Sequence, residues 1–217
     1  MVIKNSDFEF PQKLFITGID TDAGKSFATG WLARLIMEAG ESVITQKFVQ
    51  TGNISVSEDI EVHRRVMGID MTEEDRLGIT APVIFTYPAS PDLAARIDNR
   101  ELDFSVIEEA SETLSKRYDH LLIEGAGGIM VPLKGEYLTI DYIRDHNLPV
   151  ALVINGRLGS INHTLLSLKA IADEGIELFT VIYNRYFDKD NIICDDTRKY
   201  VRNWLASHFP GALYLEF

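Results

Sequence analysis

Short apolar runs alternate with longer amphipathic stretches from one end of the chain to the other. That pattern reads as βαβ units building a parallel sheet. Leu14-Phe15-Ile16-Thr17-Gly18 is expected to be a buried first strand. A helix over 25–39 follows, with Phe27, Trp31, Leu32, Leu35 and Ile36 as its apolar set and Gly40 at a left-handed C-terminal cap. Further strands are expected at 43–49, 120–123, 149–154 and 178–183, and helices at 57–68, 105–117, 161–172 and 195–207. Pro82, Pro88 and Pro91 interrupt a mixed segment over 69–104. The expected architecture is α/β: a single doubly wound, mostly parallel sheet flanked by helices, one domain over 1–217 without a linker. Ligands in such sheets bind at the carboxyl ends of the strands, so the chemistry is sought just after each strand.

Composition narrows the class. The 217 residues are 46% hydrophobic and 25% charged, ordinary for a globular domain able to bury a core without disulfides. Lys and Arg number 21 against 33 Asp and Glu, a net charge of −12, which argues against a nucleic-acid-binding face. An anionic ligand must then be held by a few local lysines and backbone amides. The single cysteine, Cys194, excludes a disulfide framework within the chain and a multi-cysteine metal site, and suits a reducing compartment. The stretch 1–12 has no apolar signal core, and no apolar window of about 18 residues suggests a membrane span. A cytoplasmic protein without nucleic-acid or membrane partners is expected.

The strongest motif follows the first strand: Gly18-Ile19-Asp20-Thr21-Asp22-Ala23-Gly24-Lys25-Ser26. Loop amides and a helix N-terminus can surround phosphate oxygens, Lys25 can reach the outer phosphates, and the Ser26 hydroxyl can take Mg²⁺. The usual pattern has four residues between its glycines and this chain has five, so the motif is a variant P-loop. A P-loop by itself specifies a nucleotide and little else.

The other candidates are weaker singly. Lys47 ends the second strand and, taken alone, reads better as a lysine solvated at a sheet rim; Thr51-Gly52 after it suggests a turn. Glu124 follows an apolar strand, where P-loop proteins place an acid for Mg²⁺. Asp59 by itself reads as a helix N-terminal acid favoured by the dipole. Gly125-Ala126-Gly127-Gly128 allows close backbone approach to a substrate, or is simply a turn between strands. Residues 155–163 combine glycines, Arg157 and a helix start, and amides there could hold a carboxylate. Asn184 could read a nucleobase edge, although a lone Asn at a strand end is more often a turn residue. Thr72-Glu73-Glu74-Asp75 reads as a solvated helix start, and Trp31 and Trp204 as core. His63, His120, His146, His163 and His208 are scattered, with no Ser-His-Asp or metal spacing, so catalysis by positioning and charge fits better than covalent catalysis.

Taken together and in order, GIDTDAGKS at 18–26, QKFVQTG at 46–52, Asp59, Ser90-Pro91, IEGAGGIMVPL at 123–133, RLGSINHTLLS at 157–167 and the strand ending in Asn184 resemble the dethiobiotin synthetase family. The resemblance implies an ATP- and Mg²⁺-dependent enzyme joining CO₂ to 7,8-diaminononanoate through a carbamate and a carbamic–phosphoric anhydride. It implies that Lys25 and Lys47, with Thr21 and Asp22, serve the reacting centre. Asp20 to Ser26 and Asn184 would bind the nucleotide, and Ser26, Asp59 and Glu124 the Mg²⁺. Thr51, Gly125, Ala126, Gly127, Arg157, Ser160 and Asn162 would bind the substrate, the last three from the partner of a homodimer. The chain departs from the family pattern at Ser26 for Thr, Asp22 for Glu, Phe48 for Pro and Arg157 for Lys. It also ends at 211–217, where many members of the family continue with a loop covering the base.

Two rivals share the P-loop. An amidating synthetase would need a glutamine-hydrolysing domain with a catalytic cysteine, and Ile193-Cys194-Asp195-Asp196 does not look like one. A partitioning or cluster-carrier switch ATPase would carry an extra lysine where Asp20 stands.

Overall fold

The computed structural model describes residues 9–217, so 1–8 of the stretch read for a signal core lie outside the described residues. The chain runs through β1 (Lys13–Gly18), α1 (Lys25–Glu38), β2 (Val43–Lys47), β3 (Gln50–Thr51), α2 (Glu58–Met67) and α3 (Glu73–Arg76). It continues through β4 (Ile84–Phe85), α4 (Pro91–Ile97), α5 (Phe104–Ser115), β5 (His120–Gly128), β6 (Pro132–Lys134), β7 (Tyr137–Leu138) and α6 (Thr139–Asp145). The last elements are β8 (Val150–Asn155), α7 (Ser160–Asp173), β9 (Leu178–Asn184), a 3₁₀ turn (Arg185–Phe187), α8 (Asn191–His208) and β10 (Leu213–Glu216).

Six strands form one sheet in the order β10-β9-β8-β1-β5-β2, and every pairing in it is parallel. Alternating side chains divide its strands between two cores, as the period of two demands. Leu14, Ile16, Leu122, Ala151, Val153 and Ile182 pack with Ala28, Leu32, Ala33 and Ile36 of α1 on one face. Phe15, Leu121, Ile123, Leu152, Ile154 and Val181 pack with α5, α6, α7 and α8 on the other. The sheet is therefore covered on both sides. Its strand order reverses at β1, whose neighbours β5 and β8 are both distant in sequence, and that is where a doubly wound sheet opens a ligand crevice.

Several expected boundaries move. The second strand stops at Lys47 rather than at residue 49, because the chain leaves the main sheet and β3 pairs with β4. Gly125-Ala126-Gly127-Gly128 is not a turn between strands: Glu124 to Gly128 continues β5, with Gly128 registered against Gly18 of β1. Missing Cβ atoms permit this, since a Cβ on Gly125 would lie 2.7 Å from the Phe15 ring. The final helix begins at Asn191, where Asp190 caps it through the Ile192 and Ile193 amides. β10, the four residues Leu213-Tyr214-Leu215-Glu216, was not foreseen. Phe27 is no core residue: it is 52% exposed, and α1 buries Ala28, Thr29, Leu32, Ala33 and Ile36 instead. Trp31 and Trp204 are half-buried at the core margins, stacked on Phe217 and His208. Among the described residues no helix is long and apolar enough to cross a membrane.

Candidate active site

The crevice at the carboxyl ends of β1, β2, β5 and β9 has a volume of about 1300 Å³. That exceeds the roughly 300–1000 Å³ of an ordinary small-molecule pocket and leaves room for a nucleotide and a second ligand. Its lining includes Thr21, Asp22, Gly24, Lys25, Ser26, Lys47, Thr51, Asp59, Glu124, Ala126, Gly127, Arg157 and Asn184. Thirteen predicted positions from six separate segments thus meet in one space.

The loop after β1 turns into α1 at Gly24, whose φ of 94° lies in the left-handed region that only glycine adopts freely. α1 has no side-chain cap, so its first amides remain free for an anionic ligand. Lys25 folds back over the loop, donating to the Asp20 carbonyl at 2.9 Å and to the Thr21 carbonyl at 3.0 Å. Burial lowers the Lys25 ammonium to about 8; Lys47 also lowers it, while Glu124 and Asp59 oppose the shift.

Lys47 is not a solvated rim lysine. β2 is indeed the sheet edge, yet Lys47 is buried and registers directly against Glu124 of β5. Its ammonium contacts Asp59 Oδ2 at 2.5 Å and Glu124 Oε1 at 2.8 Å, and donates to the Gly125 carbonyl at 3.2 Å. Burial alone would lower the Lys47 pKa, but the two carboxylates overcome it and hold it above the ordinary lysine value. Burial alone would likewise raise Glu124, but the Lys47 charge and the His63 hydrogen bond drive it far below the ordinary carboxylate range. Asp59, in the first turn of α2, serves the crevice as well as its helix, which its dipole-favoured position did not reveal.

The Ser26 hydroxyl donates to Asp59 Oδ1 at 2.7 Å and lies 3.0 Å from Glu124 Oε1. Two carboxylates and a hydroxyl form a hard, all-oxygen donor set of the kind that suits Mg²⁺. Asn184 lines the crevice while its Nδ2 donates to the Ala23 carbonyl and its Oδ1 accepts from the Tyr186 amide.

Other predicted positions stand apart. Asp20, Ala23 and Gly125 shape the walls through their backbones without lining the crevice. Ser160 is buried at the start of α7 and Asn162 is exposed in its first turn; neither lines the crevice. Arg157 lies over the Phe187 ring at 3.8 Å. The acidic helix start at Thr72 is not solvated as expected, since Asp75 pairs with the buried Arg64.

Sequence reading missed His63, which is fully buried and contacts Glu124 Oε2 at 2.5 Å. The available signal was its spacing: His63 follows Asp59 by one helical turn and shares its face of α2. Phe27, Pro88, Val131, Tyr186, Phe187 and Phe217, which add apolar walls, were also missed because no local pattern marks them.

A doubly wound parallel sheet with a variant P-loop and a lysine–carboxylate cluster at its switch point defines a P-loop nucleotide-dependent protein. A family profile described as an AAA domain matches residues 12–207. The chain is 48% identical over 200 residues to the ATP-dependent dethiobiotin synthetase BioD 2 of Pasteurella multocida, covering 92% of this chain and 94% of that one. It is 51% identical over 190 residues to the ATP-dependent dethiobiotin synthetase BioD of Chlorobaculum tepidum, covering 88% and 80%. The chain belongs to the ATP-dependent dethiobiotin synthetase family. Solved structures similar in fold include chloroplast FtsY of Physcomitrella patens, with TM-score 0.54 and 16% identity over 98% of this chain and 60% of that one. FlhF complexed with GMPPNP and Mg²⁺ gives TM-score 0.52 and 15% identity over 99% and 69%. These two likenesses concern the fold alone.

Proposed function

We propose that residues 9–217 act as one unit, a cyclo-ligase that closes the ureido ring of dethiobiotin from 7,8-diaminononanoate, CO₂ and ATP. The observation that carries this reading is the meeting of Lys25, Lys47, Ser26, Asp59 and Glu124 at one P-loop, in a chain about half identical to named dethiobiotin synthetases.

One substrate amine adds to CO₂, forming a C–N bond and losing a proton to give a carbamate. A carbamate oxygen attacks the ATP γ-phosphorus, and the bond to ADP breaks. The second amine then attacks the carbamoyl carbon, closing the ring and releasing phosphate. The residues from Asp20 to Ser26 cradle the phosphates with backbone amides. Lys25 turns from its loop carbonyls to the transferring phosphoryl group. Lys47 neutralises the carbamate and the charge building on the equatorial oxygens. Ser26, Asp59 and Glu124 would hold Mg²⁺, which would supply neutralisation of phosphate charge. Thr21, Asp22 and Thr51 border the reacting atoms, and Gly125, Ala126 and Gly127 let the substrate approach the backbone of β5. Asn184 keeps one amide N–H for the base. Arg157, Ser160 and Asn162 serve the substrate carboxylate across a homodimer, a role carried over from the family pattern, and of the three Arg157 lines the crevice.

Phosphate release from Mg·ATP, with and without 7,8-diaminononanoate and bicarbonate, tests the proposal. Release that needs all components, with dethiobiotin in equal amount, is the expected result. Release from ATP alone, indifferent to the diamine, overturns it in favour of a switch ATPase.

A further inference from the structure

We infer that His63 is a positioning residue for Glu124: it holds one carboxylate oxygen back in the protein so that the other faces the cleft. This rests on the reading of Glu124 as a metal-holding acid. His63 Nε2 lies 2.5 Å from Glu124 Oε2, whereas Glu124 Oε1 meets Ser26 Oγ at 3.0 Å and Lys47 Nζ at 2.8 Å. The two oxygens of one carboxylate therefore have separate duties.

The direction of the His63 bond follows from its neighbours. His63 Nδ1 lies 2.9 Å from the hydroxyl of Thr45, and that hydroxyl lies 2.8 Å from Arg64 Nη1. A guanidinium only donates, so the Thr45 oxygen accepts from Arg64. Thr45 is fully buried, and its hydroxyl proton finds its acceptor at His63 Nδ1. Nε2–H is then the donor, and Glu124 the acceptor. Arg64 is itself fixed by paired bonds of 2.8 Å to both oxygens of Asp75, which also takes the Thr80 hydroxyl and the Thr72 amide at 2.7 Å. A continuous buried chain of hydrogen bonds thus runs from Asp75 through Arg64, Thr45 and His63 to Glu124. Because Asp59 and His63 share α2, one helix sets both acids of the cluster.

Outer partners of metal ligands typically change metal affinity by about 10–100-fold when removed. The test is the ratio of ADP affinities with and without Mg²⁺, read by calorimetry on the full chain. His63→Asn, too short to reach Glu124, is expected to lower that ratio by about tenfold or more. His63→Gln, whose amide N–H reaches the place of Nε2, is expected to restore it. Glu124→Gln serves as the reference and is expected to lose the ratio as fully as any variant. If His63→Asn keeps the wild-type ratio while Glu124→Gln loses it, the positioning role is overturned and the metal reading stands. If Glu124→Gln keeps the ratio, the metal reading falls and the inference with it. Should the Asn variant fail to fold, ¹⁵N spectra of the wild-type imidazole decide. A pyrrole-like Nε2 and a pyridine-like Nδ1 support the assignment, and the opposite tautomer overturns it.

Discussion

The side-chain amide of Asn184, at the end of β9, donates to the Ala23 carbonyl of the phosphate loop at 3.1 Å, across 161 residues of sequence. A Cβ on Gly24 would lie only 2.2 Å from that same amide nitrogen. The loop is therefore shaped by β9 as well as by its own sequence. Gly24→Ala forces the Asn184 amide off Ala23 and adds about 1–2 kcal/mol of left-handed backbone cost. We expect nucleotide affinity to fall at least tenfold, measured by calorimetry, and Asn184→Ala to lose affinity by a smaller factor because the loop backbone stays permitted.

Lys47 stands between two acids, so its removal leaves the buried Glu124 charge unpaired and facing the partly exposed Asp59. Lys47→Met should destabilise the fold by about 3–5 kcal/mol, the usual cost of breaking a buried pair from one side. Combining it with Glu124→Gln should recover part of that stability in urea unfolding. Neither variant should recover turnover, since the charge stabilisation lost with one such group costs about 10²–10³-fold.

Lys25, at about 8 in the free protein, gives nucleotide binding a pH dependence of defined sign. Phosphate oxygens favour the charged ammonium and raise its pKa on binding. Above pH 8 the free lysine is largely neutral, so binding takes up a proton and affinity declines as pH rises. Calorimetry in buffers of different ionisation enthalpy should record that uptake near pH 8.5 to 9. Affinity that holds constant from pH 7 to 9.5 would contradict the prediction.

The buried Arg64–Asp75 pair should govern acid stability. Burial alone would raise the Asp75 pKa, but the Arg64 bonds outweigh it and lower it below the ordinary aspartate value. A carboxyl depressed in the folded state adds stability above its unfolded pKa of about 4, and that contribution is lost as pH falls through the folded value. Asp75→Asn should cost about 3–5 kcal/mol at pH 6, because the Arg64 charge is left buried and unpaired. The gap between wild type and variant should narrow below pH 4 in urea midpoints.

Much of this molecule was legible from its sequence. The apolar runs gave β1, β8 and β9 nearly to the residue, because buried strands of a parallel sheet need apolar side chains on both faces. Gly24-Lys25-Ser26 announced the phosphate loop, because left-handed backbone and an uncapped helix start have few sequence solutions. Lys47 and His63 were decided only by tertiary structure. A lysine on an edge strand becomes buried and doubly paired only when α2 brings Asp59 over it and β5 sets Glu124 beside it. A histidine on an amphipathic helix becomes the partner of that glutamate only when α2 packs against β2. Sequence determines local backbone and periodicity, which depend on near neighbours. The charge, burial and hydrogen-bond direction of these side chains depend on groups tens of residues away, and only the packed sheet brings those groups within reach.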